Sequence, residues 1–153
     1  MLSAQLVRAI ERNAEELTRE VLQDLASNPR TPRYHRLAGD ELHRRVYDVY
    51  HHLDRWLGDK SDAAVESSYA SLGRTRRAEG IPLSEVVYAL ILVKEHLCRY
   101  ILRTGAADTA VELYQEEELN LMVARFFDKA LYHTVRGYES AATAASATAA
   151  PAR

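Results

Sequence analysis

Helix-breaking residues are sparse in this chain, and their placement leaves few folds open. Six glycines and four prolines are spread through 153 residues, and the stretches between them repeat apolar side chains every three or four positions rather than every two. That spacing lines one face of a helix, whereas a half-buried strand needs alternation. The reading is all-α, a bundle of five to six helices around one core.

Residues 3–27 form the first expected helix, with Leu6, Ile10, Ala14, Leu17, Val21 and Leu25 on one face. Pro29 and Pro32 end it, because the residue before a proline avoids the α region. A second helix spans 40–57, opened by Asp40 as N-cap, striped by Leu42, Val46, Val49, Tyr50, Leu53, Trp56 and Leu57, and stopped by Gly58. The segment 28–39 between them has room for one further short helix. Residues 61–79 give a third helix with Val65, Tyr69 and Leu72 as its large apolar residues, which reads as an edge element. Pro82 suits the first turn of a fourth helix reaching Thr104. Its apolar residues cover about half the circumference, so it is expected to be the buried central helix. The fifth helix, 109–138, is expected to pack antiparallel to the fourth. The division is therefore a helical domain over 1–139 and, over 140–153, a disordered alanine-rich tail or linker.

Composition narrows the functional classes. A formal net charge of -2 supplies no general attraction to nucleic acid or anionic lipid. Val86 to Val93 is too short an apolar run to span a membrane. One cysteine, Cys98, fits a reducing compartment, so the expected location is cytoplasmic. Arg74, Arg76 and Arg77 are the one basic concentration and a candidate interaction surface. DNA binding is disfavoured, because the helix that follows is apolar where a recognition helix is polar.

No nucleophile–base pair, phosphate loop or spaced carboxylate pair stands in the expected helices, so neither enzyme activity nor a cofactor is expected. The six histidines lack metal-ligand spacing, and no metal is expected. Lys94 falls in the middle of the fourth helix's buried arc, level with Glu117 and Asn120 of the fifth. A Lys94–Glu117 contact is the expectation: either a structural ion pair or the polar anchor of a ligand pocket that also draws on His96 and Cys98.

The segment from Tyr69 to Leu90, with Arg74-Thr75-Arg76-Arg77-Ala78-Glu79-Gly80-Ile81-Pro82-Leu83-Ser84-Glu85 at its centre, resembles the RsbRD N-terminal domain family. Lys94, Tyr100-Ile101, Trp56-Leu57, Tyr114 and Phe127 extend the likeness over roughly residues 3–139. The resemblance implies a bacterial input domain of RsbT co-antagonists or sensor kinases. It would be a homodimer passing its state to a STAS-domain or kinase-type protein, and related input domains are globin-like without haem. No output domain is read in these 153 residues, so the expectation is either a stand-alone partner or an excised input domain, and Cys98 stands where the family leads one to expect an aromatic residue. The alternative reading is a haem or small-cofactor carrier using His96 or His133. A dimer is expected to use the third helix or exposed edges of the first and fifth.

Overall fold

The computed structural model describes residues 2–37 and 39–148. Among them are seven α-helices and no strand: α1 (Leu2–Arg12), α2 (Ala14–Ser27), α3 (Gly39–His51), α4 (Leu53–Leu57), α5 (Asp62–Ala78), α6 (Leu83–Thr104) and α7 (Ala110–Thr148). A short 3₁₀ segment, Pro32–Arg36, occupies the linker between α2 and α3. Buried Glu85 of α6 holds its start by accepting the Arg33 N–H at 2.7 Å.

The first two expected helices are each divided by one residue. The Asn13 side-chain amide donates to the Ala9 carbonyl at 2.8 Å and to the Tyr100 hydroxyl at 3.0 Å. It thus competes for a carbonyl the helix would use, and bends the chain between α1 and α2. The second break falls at His52, between α3 and α4, where the ring Nδ1 lies 3.0 Å from the Asp48 side-chain Oδ1. Backbone bonds run across both breaks, from Leu17 to Asn13 and from Trp56 to His52, so each is a kink rather than a loop.

The third expected helix packs against α7 and, far less, against α6. The helix α5 lies parallel to α7 in the most extensive packing between any two elements. Lys129 Nζ meets Asp62 Oδ1 at 2.6 Å near the start of α5, while Gly73 and Gly137 bring the two backbones together further along. A Cβ on Gly73 would stand 2.1 Å from the Thr134 carbonyl oxygen, and one on Gly137 would stand 2.1 Å from that of Ala70. Small residues let the axes approach closely enough to replace the large side chains α5 lacks.

The helix α6 is the central element, with Val86, Leu97 and Ile101 at 0% exposure. It runs antiparallel to α7: the Tyr138 hydroxyl donates to the Ile81 carbonyl at 2.7 Å near one end, and Gly105 abuts the Glu116 carboxylate at the other. The helix α7 also continues past residue 138 to Thr148, through nine residues of the segment expected to be a tail, because alanine is the strongest helix former and neither glycine nor proline interrupts it there. The rest of that segment, 149–153, lies outside the described residues. No helix among the described residues is long and apolar enough to cross a membrane.

Candidate functional site

The helix α3 is held mainly by α2, and α5 mainly by α7. Where these two layers meet α6 the side chains leave a cavity of about 350 Å³, at the lower end of the range for small-molecule pockets. Leu42, Val46 and Val49 form its α3 wall, Tyr69 and Leu72 its α5 wall, and Val86, Ala89, Leu90 and Val93 its α6 wall. Trp56, Tyr34 and Leu25 complete it. Arg44, Arg45, Asp48 and Ser68 are the lining residues that are not buried, which sets the mouth between α3 and α5.

One charged side chain of the lining lies inside. Arg76 follows Tyr69 and Leu72 on the inner face of α5 and is 1% exposed. Its Nη1 lies 2.9 Å from Glu41 Oε2 and 3.3 Å from Glu79 Oε1. Glu41 also accepts from Arg45 Nε, so one carboxylate bridges the guanidinium at the mouth to the guanidinium within. Burial works against ionising Glu41, but the Arg45 hydrogen bond and the Arg76 charge outweigh it and hold its carboxyl below the ordinary value. The Arg76 guanidinium sits 5.7 Å from the centre of the Tyr34 ring. Its Nε, however, makes no hydrogen bond of ordinary geometry among the described residues, although the guanidinium lies close enough to the Tyr34 phenol to lower that group's pKa against the effect of burial. A buried donor left unmatched costs about 1–3 kcal/mol. Burial also raises the Tyr34 and Tyr69 phenols above their ordinary value, so both are neutral at physiological pH.

At the mouth, Asp48 accepts the Trp56 indole N–H at 3.0 Å and approaches His52 Nδ1 at 3.0 Å. Its charge is already engaged. The lining thus carries three guanidiniums, Arg44, Arg45 and Arg76, and the carboxylate of Asp48, with Glu41 and Glu79 paired to Arg76 behind it.

The residues singled out from the sequence lie elsewhere. Lys94 is half-buried on α6, Glu117 exposed and Asn120 half-buried on α7, and no ion pair joins Lys94 to Glu117 among the described residues. Cys98 is half-buried one turn beyond Lys94, and burial raises its thiol above the ordinary value against the lowering effect of that lysine. His96 turns toward α2, where its Nε2 lies 2.8 Å from Asp24 Oδ2. None of these five lines the cavity, nor does any histidine. No group of histidine, cysteine and acidic residues with metal-binding geometry occurs among the described residues. Of the three arginines expected to form a surface, Arg74 and Arg77 are exposed, but Arg76 is not. The signal for its burial is spacing: position 76 stands four after Leu72 and seven after Tyr69, on the stripe those residues define.

A second feature lies on the outer side of α7. Val111, Tyr114, Leu121 and Tyr132 are 66%, 69%, 50% and 61% exposed, and their spacing sets them on one stripe with Glu118, Met122 and Arg125. The opposite face carries the buried Leu119, Val123, Phe126, Phe127 and Ala130. A helix that is apolar on both sides has one face with no partner within the chain.

Comparison with protein families finds that the model of the RsbT co-antagonist protein rsbRD N-terminal domain matches residues 11–153. Comparison with curated proteins and with solved structures gives no match.

Proposed function

The chain belongs to the RsbRD N-terminal domain family, a family of stress-response signalling input domains, and from that membership we propose that it acts without catalysis, as a homodimer, and reports to a STAS-domain or kinase-type protein. The observation that carries the dimer is the outer stripe of α7. Apolar side chains half to two-thirds exposed on one helix face are what a subunit interface leaves behind when its second copy is removed.

The stripe is also self-complementary. When two α7 helices are laid antiparallel about a two-fold axis between positions 121 and 122, Leu121 meets the partner subunit's Met122 and Val111 meets the partner subunit's Tyr132. Glu118 then meets the partner subunit's Arg125, so opposite charges face each other twice. An isologous interface requires this kind of pairing, because each contact must occur in duplicate.

Light scattering of the purified chain is expected to give twice its 17.3 kDa mass. Leu121→Glu should give the single mass. Glu118→Arg should weaken the dimer by bringing like charges together, and Glu118→Arg with Arg125→Glu should restore it. A wild-type monomer at micromolar concentration would remove the dimer from this reading. Failure of the double exchange to restore the mass would remove the antiparallel pairing.

A further inference from the structure

The cavity between α3, α5 and α6 contains a donor that the protein does not satisfy. Arg76 Nε is buried and makes no hydrogen bond of ordinary geometry among the described residues, although the guanidinium to which it belongs makes ion pairs through Nη1. Native interiors pair such groups, and an exception asks for an acceptor from elsewhere. Of the lining guanidiniums, Arg45 and Arg76 share Glu41 and Arg76 also meets Glu79, whereas Arg44 has no ion pair among the described residues and the Asp48 carboxylate is taken by Trp56 and His52. The acceptor that suits this end is an anion. Away from Arg76 the walls are Leu25, Val49, Leu90 and Val93 with the Trp56 ring, a surface that favours a chain of methylenes or a compact hydrocarbon.

We infer that the cavity binds an apolar monocarboxylate of small to medium size, its carboxylate accepting from Arg76 Nε and its hydrocarbon part lying against the α6 wall. Entry is through the α3–α5 mouth, where Arg44 and Arg45 meet the anion first. A single carboxylate fits better than a phosphate. The Nη1 side of Arg76 is committed to Glu41 and Glu79, and these two acidic groups stand too near for a doubly charged head. A neutral alcohol of the same length would fill the same space and forfeit the charge-assisted bond. Because the ligand would bridge α3 and α5, it is a natural input for the signalling domain proposed above; the inference rests on that reading for its role, while its binding is measured independently of subunit mass.

The experiment is calorimetric titration of the full chain with decanoate and, separately, with decan-1-ol. Decanoate is expected to bind at one site per chain and the alcohol at least about tenfold more weakly, the ratio a charge-assisted hydrogen bond supplies. Ala89→Trp, which fills the cavity from α6 and leaves the ion pairs untouched, should abolish binding of both while circular dichroism remains helical. Arg76→Met should bring acid and alcohol to equal affinity. If Arg76→Met fails to fold, the Ala89→Trp result and the acid-to-alcohol ratio still decide. Absence of decanoate binding, binding of the alcohol as tightly as the acid, or unchanged binding in Ala89→Trp would each overturn the inference. A dimer of the expected mass with no decanoate binding would overturn this inference alone, and a monomer that binds decanoate would leave it intact while removing the dimer.

Discussion

A methyl group added at residue 73 would lie 2.1 Å from the Thr134 carbonyl oxygen and 2.6 Å from the Tyr138 nitrogen. Both are backbone atoms of α7, so relief would require the helices themselves to separate. Gly73→Ala is therefore expected to destabilise by about 2–3 kcal/mol, even though alanine within a helix is intrinsically better than glycine by about 1 kcal/mol. Gly39→Ala, where a Cβ meets nothing within 4 Å, is the control and should change stability by about 0.5 kcal/mol or less. Urea midpoints for the two variants provide the measurement, and equal midpoints would refute the close approach. Nothing in the sequence marks Gly73 as a contact. A glycine inside a helical pattern reads as a weak point until the partner backbone is in view.

Between elements, the bond that ties α3 to α5 is ionic rather than apolar, running from Arg45 through Glu41 to Arg76. Since the folded protein holds the Glu41 carboxyl below its ordinary value of 4.5, the unfolded chain takes up a proton first as pH falls. Its contribution to stability is therefore complete above about pH 4.5 and is lost as pH drops through the folded value. Glu41→Gln is expected to lower stability at neutral pH and to flatten the acid limb; unfolding midpoints at intervals from about pH 6 to 3 would test this. A slope identical to wild type would show that Glu41 does not carry the linkage. Among the elements, the long stripes of α6 and α7 were legible in sequence because their apolar periodicity is sustained, and Gly80 and Gly105 also bound α6. The kinks at Asn13 and His52 were not, because apolar spacing runs on unbroken through both; at Asn13 the side chain takes the Ala9 carbonyl, which spacing alone does not encode.

Across the whole molecule, protection is expected to be graded. The helix α6 packs against α1, α2, α5 and α7 and contains three side chains at 0% exposure, so its amides from about Leu90 to Leu97 should exchange most slowly in native-state hydrogen exchange. Those of α4, five residues long and flanked by a kink and a turn, should exchange far faster. Uniform protection across the two would contradict the centrality of α6. That α6 is central could be read from its apolar arc. The cavity beside it could not, since a void is a property of three elements failing to close. Lys94 stands out in the sequence because it interrupts a visible stripe; Arg76 reads as part of a solvated surface because it sits among other arginines, although it is buried.

The seam between α5 and α7 differs in kind from the rest of the interior. Elsewhere neighbouring helices meet through side chains, which can change rotamer and soak up a small displacement. At Gly73 and Gly137 main chain rests on main chain, and main chain has no slack of that sort. Push on α5 from the cavity side, and α7 must travel with it as the second leaf of a stiff spring, carrying its outer stripe along.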